Sequence, residues 1–84
     1  MYKFVSVYNL VFYESIMEKF KIKEEFIHLN QLIKAVSWTV NGAEANSLIE
    51  NGLIKVNGQT EYRKRNKLRI GDIIEYQTTK IVIE

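Results

Sequence analysis

Four glycines, all between residues 42 and 71, stand at turn or cap signals in a chain that has no proline. Glycine beside asparagine or aspartate ends a regular element. Asn41-Gly42, Gly52, Asn57-Gly58 and Gly71-Asp72 therefore cut this half of the chain into short pieces. Pieces of that length have to share one core. Eighty-four residues make one domain with a modest core, and a hydrophobic content of 46% is that of a globular chain rather than a disordered one. With no cysteine there is no disulfide and no thiolate metal site, which fits a reducing, cytoplasmic compartment.

Charge is distributed unevenly. The whole chain carries twelve Lys and Arg against ten Asp and Glu, yet Arg63-Lys64-Arg65-Asn66-Lys67-Leu68-Arg69 holds five positive charges in seven residues and no acid. Such a cluster repels itself unless a polyanion relieves it. Arg grips phosphate with two parallel hydrogen bonds and Lys acts as a mobile point charge, so nucleic-acid phosphate is the expected contact. Five neutralised phosphates would give a slope of log affinity against log salt of roughly −3.5 to −4.5. Beside the run, Tyr62 is placed either to stack on an unpaired base or to pack across strands. Asn66 is placed to reach a base edge or a 2′-hydroxyl. A loop kept charged for solubility would mix signs.

The elements around this run follow from apolar spacing. Lys19-Phe20-Lys21-Ile22-Lys23 alternates, which predicts a half-buried strand with its lysines guarding a sheet edge or meeting RNA. Leu29, Leu32, Ile33 and Val36 share one face of a helix that ends near Ala35 or Val36. His28 and Gln31 are spaced for a capping box at its start, and a lone histidine without cysteines is read as structural. Trp38 is expected to pack between helices. Asn41 and Glu44 form a capping box that opens a second helix of about ten residues, closed by Gly52 at C′. Ile54-Lys55-Val56 is a strand, and Asn57-Gly58 is a strong hairpin signal. The basic run then leaves the sheet as a loop, Leu68 and Ile70 re-enter the core, and Ile73–Tyr76 and Lys80–Ile83 are strands. The expected fold is α+β, a helix–turn–helix pair packed on a small, mostly antiparallel sheet.

Residues 1–16 differ from the rest. Phe4 to Tyr13 is rich in Phe, Tyr and Val, but it falls short of the roughly twenty apolar residues of a membrane span, and no small-residue cleavage site follows. Two readings stand: an added element covering an apolar surface, or residues upstream of a natural start at Met17. The second is preferred, because everything the fold needs begins there. The expected organisation is an extension, 1–16, and a domain, 17–84, that folds and binds RNA without it.

Leu48-Ile49-Glu50-Asn51-Gly52-Leu53-Ile54-Lys55-Val56-Asn57-Gly58, followed after a spacer by Leu68-Arg69-Ile70-Gly71-Asp72-Ile73-Ile74, resembles the S-four (αL) RNA-binding domain. Leu29-Asn30-Gln31-Leu32-Ile33-Lys34, Gly42-Ala43-Glu44-Ala45 and Arg63-Lys64-Arg65 make it most similar to the free-standing YaaA/YbcJ-like family. The resemblance covers about residues 20–84. It implies two helices and a following hairpin that form one RNA-facing surface without catalytic activity. It also implies ribosomal RNA as the target and ribosome assembly or function as the setting. Three positions depart from the pattern: Gly42 and His28 stand where the broader domain often has Arg, and Asn46 where the nearer family commonly has Lys. The helical half of the surface is thus poor in charge, and the electrostatic weight moves to residues 63–69.

The expected contacts are Arg63, Lys64, Arg65, Lys67 and Arg69 on phosphate, flanked by Lys34, Lys55 and Asn46, with Tyr62 and Asn66 beside them. Replacing Arg63 and Arg65 with Glu is expected to abolish RNA binding at nearly unchanged stability. Duplex DNA is a weaker match, because Gly42–Asn51 shows Glu44 and Glu50 where a recognition helix presents basic or polar groups. Catalysis is not expected. There is no HExxH motif and no glycine-rich phosphate loop, adjacent Glu24 and Glu25 point to opposite faces, and Asp72 is placed to bond local backbone. No cofactor, metal, small-molecule substrate or membrane partner is expected. Two rival readings are a protein-interaction module for an acidic partner and a tRNA-binding quality-control factor.

Overall fold

The structure, a computed structural model, describes residues 17–84, and the expectations for residues 1–16 lie outside that range. Among the described residues there are two helices, α1 (Leu29–Ala35) and α2 (Gly42–Glu50), both short. Helices of two turns have little stability of their own, so caps and a shared core hold them. Asn41 Oδ1 accepts the Glu44 N–H at 2.9 Å, and Glu44 Oε1 accepts the Val40 N–H at 3.2 Å, one residue outside the expected box. At α1, Gln31 Oε1 accepts the His28 N–H at 3.3 Å.

Both helices end in the same way. The Gly52 N–H donates to the Ile49 carbonyl and the Leu53 N–H to that of Leu48, with Gly52 at φ +76°. In α1, Ser37 at φ +65° takes the place of glycine, its N–H donating to Lys34 and that of Trp38 to Ile33. These are Schellman closures. Trp38 follows the second one and packs on Tyr76 of the sheet, ring centroids 5.5 Å apart, in a depression it lines with Glu44, Ser47 and Leu48 of α2. A Cβ at Gly52 would lie 3.2 Å from the Tyr62 ring, which is exposed and free to swing, so the left-handed φ decides. Gly52→Ala should cost about 1–2 kcal/mol, read as a lower midpoint in urea with an unchanged m-value.

The main sheet has five strands: β1 (Met17–Phe20), β3 (Ile54–Val56), β4 (Gln59–Thr60), β6 (Ile73–Tyr76) and β7 (Thr79–Ile83). Their order is β1-β7-β6-β3-β4, with β1 parallel to β7 and every other pair antiparallel. The expected strand at 19–23 is shifted: it begins at Met17 and ends at Phe20, opposite Ile83, where β7 runs out. Ile22 still donates its N–H to the Glu84 carbonyl and packs against the core.

Two further strands, β2 (Ile27–His28) and β5 (Lys67–Leu68), pair antiparallel in a separate ribbon. The basic run is therefore only partly a loop. Its Leu68 is fully buried with Leu29, Leu32, Ile33, Ala45, Ile49, Ile54, Ile74 and Ile83. Ile70, expected in the core, is 71% exposed. The chain turns at Gly71 before strand alternation can carry its side chain inward.

Candidate nucleic-acid interface

The segment that carries the charges is fixed at both ends. The carbonyls of Asn66 and Lys64 accept the N–H groups of Leu29 and Asn30 at 2.9 and 3.0 Å. These are first-turn amides of α1 that have no partner within the helix. After the ribbon, Asp72 Oδ2 accepts the Arg69 N–H at 2.9 Å, and Asp72 Oδ1 accepts Asn57 Nδ2 at 3.1 Å. Asn57 Oδ1 takes the Ile73 N–H at 2.9 Å. The Asn-Gly and Gly-Asp turns are thus tied to one another and to the end of the basic run. Asp72 bonds local backbone as expected, but its bond to Asn57 was not foreseen.

The five cations are not equivalent. Arg63 is clasped by Glu61: Nε to Oε2 at 2.9 Å, Nη2 to Oε1 at 3.1 Å, with the Arg63 N–H also on Oε2 at 2.9 Å. Lys64 pairs with Glu50 at 3.3 Å and Arg69 with Glu25 at 3.8 Å, all four side chains about half exposed or more. Exposed pairs of this kind are worth about 0–1 kcal/mol and exchange readily for phosphate. Among the described residues, Arg65 and Lys67 have no carboxylate within ion-pair distance. Arg63, Arg65, Asn66 and Lys67 line one shallow depression of about 380 Å³.

The clasp gives Arg63 a carboxylate partner that Arg65 and Lys67 lack. The Arg63 side chain, hydrogen-bonded to Glu61, is the main cause holding that carboxyl below the usual glutamate range; burial opposes the shift, and the Arg63 and Tyr62 amides add to it. The same hydrogen bonds raise the Arg63 guanidinium. Arg63→Glu would set one carboxylate against another, so the expectation of nearly unchanged stability for the Arg63 and Arg65 pair does not suit this geometry. A depressed acid stabilises the fold above its unfolded value, about 4.3, and that contribution is lost as pH falls through the folded value. Glu61→Gln should therefore lower Tm at neutral pH, and the two proteins should converge in Tm below that window.

The flanking candidates fall in different places. Lys55 stands across from Glu75 and Thr60 on an outward position of the sheet. Lys34, in the last turn of α1, lines a separate groove with Lys21 and Lys23. Neither Lys55 nor Lys34 lines the depression of the loop. Asn46 Oδ1 accepts Asn30 Nδ2 at 3.0 Å, a link between the helices. Tyr62 is 62% exposed and leans over Gly52, so its ring is open to a ligand rather than packed across strands. Asn66 is half-buried, its backbone engaged at α1 and with Arg63.

Sequence reasoning missed the contact between the Phe26 ring and the ribbon cations, with the capping residue His28 beside it. The Phe26 and His28 rings lie 5.4 Å apart, with Lys67 Nζ 4.8 Å and Arg69 Cζ 5.6 Å from the Phe26 centroid, within cation–π range. Nothing along the chain signals this contact, because it depends on the two-residue β2–β5 pairing.

Two capped helices on a mostly antiparallel sheet, with a charged segment docked at the start of α1, define the αL class of fold. Residues 20–84 match the S4 domain, and the chain belongs to that family. YbcJ of Escherichia coli (strain K12) is 35% identical over 54 residues, covering 64% of this chain and 77% of YbcJ. YbcJ of Shigella flexneri matches to the same extent. The solution structure of the E. coli protein, described as revealing an αL motif involved in RNA binding, aligns with TM-score 0.58 and 28% identity over 81% of this chain and 85% of that one. The 30S ribosomal protein S4e of Thermoplasma acidophilum shares the fold, at TM-score 0.52 and 24% identity over 69% of this chain and 31% of its own.

Proposed function

We infer that this chain is a non-catalytic RNA-binding protein that grips structured RNA, ribosomal RNA first among the classes to test, in ribosome assembly or function. The observation that carries the reading is the pair Arg65 and Lys67, exposed and without a carboxylate partner among the described residues, on a segment anchored at α1 and through Leu68. Lys64 and Arg69 join them by exchanging weak surface pairs for phosphate, whereas Arg63 keeps the loop in shape. The αL motif of YbcJ, described as involved in RNA binding, supports the RNA reading. The ribosomal choice rests on sequence motifs, with the ribosomal neighbour agreeing at the level of fold.

Four phosphate contacts give a salt slope of about −2.8 to −3.6. The domain that binds is residues 17–84, and residues 1–16 are an extension dispensable for binding. Crosslinking in cells followed by sequencing of the attached transcripts tests the target. Reads concentrated in ribosomal RNA support it, and reads concentrated in tRNA would replace it with the quality-control reading. Partner recovery that survives nuclease treatment would favour an acidic protein instead.

A further inference from the structure

The β1–β2 connection and α1 enclose a second groove, of about 520 Å³, within the range of clefts that hold a small ligand. Phe20, Ile22 and Phe26 give it half-buried apolar walls, while Lys21, Lys23 and Lys34 line it as exposed cations. Among the described residues, Glu24 is its one acidic lining residue. Edge protection accounts for a lysine on an outer strand and so for Lys19 in β1. It does not account for Lys21 and Lys23, because β1 ends at Phe20. None of the three groove lysines forms an ion pair among the described residues. The groove is continuous with the ribbon through Phe26, which lines it and also lies under Lys67 and Arg69.

An aromatic ring in an apolar groove edged by cations suits a stacked base with its phosphates alongside. We propose that this groove takes an unpaired nucleotide of the bound RNA, its base against Phe26 and its backbone along Lys21, Lys23 and Lys34, so that the domain holds a junction between structured and single-stranded RNA. The proposal rests on the loop reading, since the ribbon cations lead the strand from the loop into the groove.

The test compares a blunt RNA hairpin with the same hairpin carrying a short single-stranded tail that contains 2-aminopurine. The tail should raise affinity ~10-fold, the scale of one stacked base, and quench the 2-aminopurine fluorescence. Phe26→Leu, which keeps an apolar side chain in place, should abolish the quench and lower the tailed-to-blunt affinity ratio several-fold, leaving what the groove lysines contribute. Lys21→Gln with Lys23→Gln should leave blunt-hairpin binding unchanged and reduce the salt slope for the tailed RNA by about 1.4. A tail that adds no affinity, or a quench that persists in Phe26→Leu, overturns the groove assignment while the loop reading stands. Failure of the wild type to bind even the blunt hairpin overturns the loop reading and this proposal with it.

Discussion

Arg65→Glu combined with Lys67→Glu should weaken binding to structured RNA about 100-fold or more, with Tm moved by no more than about 8 °C. The first figure follows from two charge-assisted contacts at about 1.5–3 kcal/mol each, and reversal adds repulsion. The second follows because both side chains are exposed, neither has an ion-pair partner among the described residues, and Lys67 gives up only an exposed contact with the Phe26 ring. Exposed substitutions of that kind stay within about 0.5 kcal/mol each, and a domain of this size shifts by about 4–8 °C per kcal/mol. The salt slope should become shallower by about 1.4–1.8. Gel-shift titrations at several salt concentrations beside a thermal melt measure all three. Wild-type affinity in the double variant would remove these side chains from the interface, and a large fall in Tm would show them to be structural.

Choosing Arg65 and Lys67 over Arg63 depends on contacts that charge counting cannot separate. Residues 63–69 read as five equal cations, yet their carboxylates come from three places: Glu61 two residues away, Glu50 at the end of α2, and Glu25 ahead of β2. Only the first is local enough to read along the chain. Local signals were legible throughout, because a capping box or an Asn-Gly turn is decided by bonds between residues a few positions apart. Asn41, Gly52 and Asn57-Gly58 all lie where their chemistry placed them. The β2–β5 ribbon was not legible, because two residues pair with two others forty positions along, too short a run for any period to show. That one pairing turned part of an expected loop into a strand and brought Phe26 beneath Lys67 and Arg69.

The ribbon also determines how the charges respond to a change in the core. Leu68 lies between Lys67 and Arg69, opposite Ile27, and is fully buried against the helices and sheet. Leu68→Ala should cost about 2–5 kcal/mol, the range for emptying a buried leucine site, and lower Tm by roughly 10 °C or more. At a temperature where the variant remains folded, RNA affinity should still fall, because Lys67 and Arg69 lose the anchor that fixes their spacing. Leu68→Met keeps the volume and should cost less than about 1.5 kcal/mol, preserving affinity. Ile81→Ala, a comparable deletion on β7, should lower Tm by a similar amount without the loss of binding. A floppy cationic segment would predict the reverse for Leu68→Ala: unchanged Tm and unchanged affinity. Measuring melts and binding on the same three variants separates a charge cluster held in register by the core from one that only trails beside it.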